Sequence, residues 1–149
     1  MDRKLDVIDR QILALLLENG RISFAEIGRR VNLSLPAAAE RVRRLEDEEI
    51  IEGYQAKINY KKLGYSILVF VELTMPPTAY RLVKQKIEQM PEIIEAYHVA
   101  GDISLILKIR LVTLEELEPI IEQLTPPGQS KSIVVLSTVV EKDGQMMIQ

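Results

Sequence analysis

Cysteine is absent from this 149-residue chain, and histidine occurs once. The first absence excludes disulfides and thiolate metal sites; the second leaves no imidazole set for a zinc centre. No apolar run reaches the ~18 residues that span a bilayer. Met1-Asp-Arg-Lys-Leu-Asp-Val-Ile-Asp9 is charged throughout, unlike a signal peptide. We expect a cytoplasmic protein with no metal, no cofactor and no membrane partner. Positive charge is also short: the net charge is −3, against the basic balance usual in nucleic-acid binders.

What is present changes that picture. A hydrophobic fraction of 47% supports a packed core, in one ordinary domain or two small ones. Charge is unevenly spread. Between Arg21 and Arg44 stand six arginines (21, 29, 30, 41, 43, 44) against two acids, Glu26 and Glu40. Acids gather instead at Glu46-Asp-Glu-Glu49 and at Glu115, Glu116, Glu118 and Glu122. A local positive patch can hold phosphates on an acidic protein, because fields fade beyond a Debye length of about 8 Å.

The basic stretch has helical periodicity. Leu5 to Glu18 places Ile8, Ile12, Leu15 and Leu16 on one face, and Asn19-Gly20 ends it. Ser23 and Glu26 have capping-box spacing for a second helix that buries Ile27 and Val31. Asn32-Leu33 is a turn. Ser34 can cap a third helix with Pro36 in its first turn. Ala38, Val42 and Leu45 then share one face, with Ala37, Glu40 and Arg44 opposite and Arg41 and Arg43 on the flanks. Two helices joined by a short turn, the second rich in arginine, are the unit that enters the DNA major groove. Ile50 to Ile58 is β-like and would form a wing or exit strand. The polar Asn59-Tyr-Lys-Lys-Leu-Gly64 marks a boundary, giving domains 1–64 and 65–149.

The second half alternates. Ser66 to Met75 reads as a strand, with Ile67, Val69, Val71 and Leu73 on one face and Leu68 and Phe70 on the other. A helix over Ala79 to Met90 follows, then strands Ile93 to Ala100 and Ile103 to Leu111 around a Gly101-Asp102 turn. Thr113 and Glu116 have capping-box spacing for a helix with Leu117, Ile120, Ile121 and Leu124, where Pro119 predicts a kink or a late start. Pro126-Pro127-Gly128 breaks the chain before a last strand, Ile133 to Val140. The order β-α-β-β-α-β is ferredoxin-like, so the fold class is α+β: a winged helix-turn-helix plus a ferredoxin-like domain. The first strand is apolar on both faces. Helices cover one; a second copy of the sheet is the simplest cover for the other, so a homodimer is expected.

Leu5-Asp-Val-Ile-Asp-Arg-Gln-Ile-Leu13, Asn19-Gly-Arg-Ile-Ser23, Glu40-Arg-Val-Arg-Arg-Leu-Glu46, Ile51-Glu-Gly-Tyr-Gln-Ala-Lys-Ile-Asn59 and Val99-Ala-Gly-Asp-Ile-Ser-Leu-Ile-Leu107 together resemble the Lrp/AsnC, or feast/famine, transcription regulators over nearly the whole chain. The resemblance implies a DNA-binding winged helix-turn-helix and an effector-sensing C-terminal domain. It also implies dimers that often assemble into octamers, and a small effector, commonly an amino acid, held near interfaces between dimers. Two positions depart from the family pattern. Glu49 stands where glycine is usual, a cost of ~1 kcal/mol if that backbone is left-handed. Ser104 stands where a second Asp is usual, which removes a partner for an effector's ammonium group.

Each candidate has a competing reading. Arg41, Arg43 and Arg44 either hold phosphates and base edges or pair with Glu40, Glu46 and Glu48 along a solvated helix; Arg41, nearest the apolar face, can brace Asp9. Arg29 and Arg30 either hold phosphates or answer the helix dipole. Ser34, Pro36, Ala37 and Glu40 complete the DNA candidates. Val99, Ala100, Gly101, Asp102 and Ser104 form the effector candidate, where Gly101-Asp102 is alternatively a plain hairpin turn. His98, with no nearby Cys, Asp or second His, reads as structural. No nucleophile, base or metal cluster converges, so an enzyme is not expected. An architectural DNA-binding protein with no ligand is the standing alternative.

Overall fold

The computed structural model describes residues 5–141. It divides into two compact units, one built from residues up to Lys57 and the other from Ile58–Val139.

The first unit is three helices: α1 Val7–Glu18, α2 Phe24–Val31 and α3 Leu35–Asp47. Asp6 opens α1. Its carboxylate accepts from the Asp9 N–H at 2.8 Å, and Asp9 answers toward the Asp6 N–H at 3.4 Å, a full capping box. Ser23 Oγ accepts from the Glu26 N–H at 3.2 Å to start α2. The expected reciprocal bond from Glu26 is not made, because that carboxylate is taken by Arg29 and Arg30. Asn32 ends α2 in the left-handed region at φ 56°, which its short polar side chain tolerates. Ser34 Oγ accepts from the Ala37 N–H at 3.3 Å, and Pro36 occupies the first turn of α3, where an N–H would lack a helical partner. Ile12, Ile27, Val31, Ala38, Val42 and Leu45 form the core.

Ile50 to Ile58 does not form the expected strand. Ile50 and Ile51 both donate to the Leu45 carbonyl at the end of α3, and no residue from Glu52 to Ile58 joins a described sheet. A strand needs a hydrogen-bonding neighbour, and this unit is otherwise helical.

The second unit is a four-stranded antiparallel sheet, β1 Ile67–Thr74, β2 Ile93–His98, β3 Leu105–Leu111 and β4 Gln129–Val134, in the order β2-β3-β1-β4. Helices α4 Tyr80–Ile87 and α5 Leu117–Leu124 cover one face. That face carries Val69, Val71 and Leu73 of β1 and Leu105, Leu107, Ile109 and Leu111 of β3, closed by Val83, Ile120 and Leu124. The alternation of β1 is therefore decided: the odd-numbered set is core. Leu68, Phe70 and Glu72 lie opposite, paired in register with Arg110, Lys108 and Ile106.

Several boundaries differ from expectation. A short 3-10 turn, Pro77–Ala79, precedes α4. Another, Leu114–Glu116, precedes α5, so the late start predicted from Pro119 is what forms. The central hairpin is wider than expected, because β2 stops at His98 and β3 begins at Leu105. The last strand is Gln129–Val134 rather than Ile133–Val140. It starts directly after Gly128, where an added Cβ would lie 2.0 Å from the Thr74 carbonyl oxygen; that close approach delivers the chain to the edge of β1. Leu136 and Val139, expected within the strand, are 97% and 91% exposed.

Candidate nucleic-acid interface and effector loop

The turn between α2 and α3 depends on Gly28. A Cβ there would sit 2.6 Å from the Leu33 carbonyl oxygen, and the Leu33 N–H donates to the Gly28 carbonyl at 2.8 Å. This close approach brings the start of α3 against α2.

The candidate residues on α3 separate into two groups. Pro36, Glu40 and Arg43 are exposed, and Arg43 Nη1 lies 3.3 Å from Glu40 Oε2. Arg41 turns inward. Its Nη1 donates to Asp6 Oδ2 and to Asp9 Oδ1, both at 2.7 Å, and Asp9 is the one fully buried charged residue among the described residues. The Arg41 guanidinium and the Asp9 N–H hold the Asp6 carboxyl down at about 2, and the two carboxylates raise Arg41. Arg44 is intermediate: Nη2 lies 3.8 Å from Asp9, and Nε is buried with no hydrogen-bond partner. Ala37 is half-buried and Ser34 exposed beside it.

Arg29 and Arg30 share one acid. Arg29 Nε and Nη2 donate to the two Glu26 oxygens at 2.9 and 2.7 Å, and Arg30 Nε donates to Glu26 at 3.0 Å. Arg29, then Arg30, hold the Glu26 carboxyl at about 2. Sequence reasoning gave Glu26 a capping role and overlooked its spacing of three and four from the two arginines. It likewise missed Asp6, although Asp6 and Asp9 have capping-box spacing.

Two residues beyond the end of α3, Glu49 is left-handed at φ 56°. The Ile50 N–H donates to Leu45 and the Glu49 N–H to Glu46, a Schellman closure that calls for glycine at this position. The departure from the family pattern is thus a left-handed glutamate. Tyr54 donates to Glu46 at 2.8 Å, and burial, then that carboxylate, push its hydroxyl up to about 12.

The effector candidates lie in the loop Val99–Ser104. Gly101 is at φ 125°, open only to glycine at low cost. Ala100 and Asp102 are exposed, and Val99 is half-buried. The Asp102 carbonyl accepts from Thr74 Oγ1 at 3.3 Å. Ser104 is fully engaged with the end of β1: its N–H donates to Leu73 at 2.8 Å, and its hydroxyl accepts from the Met75 N–H at 3.0 Å and donates to the Met75 carbonyl at 3.2 Å. His98 stacks at a tilt on Tyr80, with ring centroids 4.7 Å apart.

A three-helix unit with a helix-turn-helix, joined in one chain to a ferredoxin-like sheet unit, defines a class: DNA-binding regulators with a separate ligand-binding domain. Family models match in the same order, the AsnC-type helix-turn-helix domain over residues 5–46 and the Lrp/AsnC ligand binding domain over 68–145. The chain is 37% identical to the HTH-type transcriptional regulator LrpC of Bacillus subtilis, covering 95% of this chain and 99% of that protein. It is also 37% identical to the leucine-responsive regulatory protein of Escherichia coli, covering 92% and 88%. The solved structure of Bacillus subtilis LrpC superposes with a TM-score of 0.87 at 36% identity, covering 94% of this chain and all of that one. The feast or famine regulatory protein of Mycobacterium tuberculosis, solved in complex with L-methionine, superposes at 0.83 with 31% identity, covering 93% and 96%. This chain belongs to the Lrp/AsnC family of transcription regulators. Among its described residues no helix is long and apolar enough to cross a membrane.

Proposed function

We propose that residues 1–64 read duplex DNA through α3 and that residues 65–149 assemble the protein and sense a small effector. The observation that carries the DNA reading is the open face of α3: Pro36, Glu40 and Arg43 are exposed beside the capped start of the helix, with Arg44 on the flank. Ser34, Ala37 and Glu40 approach base edges, while Arg29, Arg30, Arg43 and Arg44 hold phosphates. Arg41, bound to Asp6 and Asp9, positions α3 and does not contact DNA.

Assembly begins as a homodimer through the outer sheet face, where Leu68 and Phe70 are only half-buried and Tyr97 and Ile133 are exposed. Dimers join further, to an octamer, with the effector near Val99–Ser104 at their boundaries. An amino acid or a related molecule is the effector class. A ligand there shifts assembly only through differential contact with the two states. The Ser104 hydroxyl, already committed to Met75, supports a second reading: an architectural DNA-binding protein indifferent to amino acids. DNA affinity and particle size measured together across an L-amino-acid panel separate the two. A sensor changes both with at least one ligand; an architectural protein changes neither. A protein with no affinity for duplex DNA under any of these conditions would refute both.

A further inference from the structure

Glu26 is the acid that pairs with both basic side chains of α2. One carboxylate carries two guanidiniums, Arg29 through a fork at 2.9 and 2.7 Å and Arg30 at 3.0 Å. Arg30 also reaches Glu18 at 3.6 Å. The two arginine side chains are 75% and 48% exposed, so their outer N–H groups face solvent, while Glu26 is 30% exposed beneath them. A carboxylate in a fork with arginine has the geometry of a phosphate in the same fork. We propose that Glu26 is an internal competitor for the DNA phosphates that Arg29 and Arg30 contact, and so limits the affinity of α2 for duplex DNA of any sequence. The proposal rests on the DNA reading given above.

The geometry supports competition in a specific way. Both basic side chains lie in the last turn of α2, and Glu26 lies in its first; spacings of three and four bring them onto one face. The Ser23 cap bonds the Glu26 backbone and not its carboxylate, so the side chain is not needed to start the helix. The carboxyl, held at about 2 by the two arginines, stays charged at any pH where DNA is bound. Phosphate therefore competes with a charged carboxylate for the two guanidiniums, and one negative charge remains close to the bound backbone.

The test is the salt dependence of binding to a mixed-sequence duplex, followed by fluorescence anisotropy on the full chain. Glu26→Gln keeps the shape and one acceptor oxygen without the charge or the two-oxygen fork, and Glu26→Ala removes the side-chain acceptor altogether. Each is expected to bind roughly two- to thirtyfold more tightly at low salt, the span of two exposed ion pairs. The slope of log affinity against log salt should steepen by about 0.9 for each additional phosphate neutralised. In an Arg29→Ala/Arg30→Ala background the same substitution at position 26 should give a much smaller gain, only the relief of direct repulsion between the carboxylate and the phosphates. Wild-type affinity and slope in both variants would overturn the proposal while leaving the DNA reading intact. An equal increase without the two arginines would also overturn it, by revealing a general charge effect. Absence of duplex binding by wild type and variants alike would overturn the DNA reading itself.

Discussion

Arg41 of α3 reaches across to Asp9 of α1, its Nη1 2.7 Å from a carboxylate that has no solvent exposure. The same nitrogen holds Asp6 at 2.7 Å, so one guanidinium ties the cap of α1 to α3. Removing one partner of a buried pair leaves an uncompensated charge, at about 3–5 kcal/mol when nothing else remains. Asp9 keeps a long contact to the Asp6 N–H and to Arg44. We therefore predict that Arg41→Ala lowers the stability of the first unit by about 2–3 kcal/mol, below that range. Urea unfolding followed by circular dichroism checks it.

The same tie has a pH signature. Asp6 has its carboxyl at about 2 in place of the ordinary 3.8, through the Arg41 hydrogen bond and then the Asp9 N–H. A depressed carboxyl contributes stability that is complete above about pH 4 and is lost as pH falls toward 2. In Arg41→Ala the Asp6 carboxyl returns toward its ordinary value. The stability gap between wild type and variant should thus narrow from about pH 4 downward. A gap that is constant with pH would assign the Asp6 shift to some other group.

Glu49 gives a prediction in the opposite direction. It holds a left-handed conformation at φ 56° inside a Schellman closure, which costs an L side chain about 1–2 kcal/mol. Glycine removes that cost but adds backbone entropy to the unfolded chain. Glu49→Gly is expected to stabilise the helix-turn-helix unit by about 0.5–1 kcal/mol net. Thermal melts of the two proteins decide it; equal or lower stability in the variant would mean that Glu49 makes a compensating contact.

Much of this was legible because it is local. The Ala38-Val42-Leu45 stripe, the Ser34 cap, the late start at Pro119 and the two faces of β1 all follow from spacing and from single-residue chemistry. For Arg41, a DNA candidate by sequence, its place beside the apolar face offered the brace only as the competing reading, and the contacts to Asp6 and Asp9 chose it. What was not legible depends on partners distant in the chain. Gln129-Ser130-Lys131-Ser132 is polar and still forms β4, since pairing with β1 decides it; the last backbone bond to β1 is from the Val135 N–H to the Leu68 carbonyl, and Leu136 to Val140, though more strand-like in composition, lies beyond the paired edge. Ile50 to Ile58 failed as a strand for the same reason. Glu26 and Ser104 could each serve several roles, and only geometry chose among them.

Phe70 tests assembly. It lies on the sheet face away from α4 and α5, paired in register with Lys108 on one side and Ile133 on the other. Because the odd-numbered residues carry the core, a charge at position 70 does not enter it. Phe70→Asp is expected to keep its fold by circular dichroism and to shift sedimentation from dimer or larger to monomer at micromolar concentration. Unchanged sedimentation would move the dimer contact to another surface.

Ser104 separates sensing from structure. Its hydroxyl accepts from the Met75 N–H and donates to the Met75 carbonyl, which a carboxylate cannot do. Aspartate at this position can keep the first bond only with a negative oxygen facing the carbonyl, so the side chain should swing out toward Asp102 and the loop. Ser104→Asp and Ser104→Ala should each loosen the latch, at about 1–2 kcal/mol, seen as faster exchange of the Met75 amide. Only the aspartate adds a carboxylate for a ligand's ammonium group. Calorimetry across a panel of L-amino acids is therefore expected to find weak or no binding in wild type, no improvement in Ser104→Ala and a several-fold improvement in Ser104→Asp. Tight binding by the wild type that survives Asp102→Ala would place the effector away from this loop, and the Val99–Ser104 assignment would fall with it.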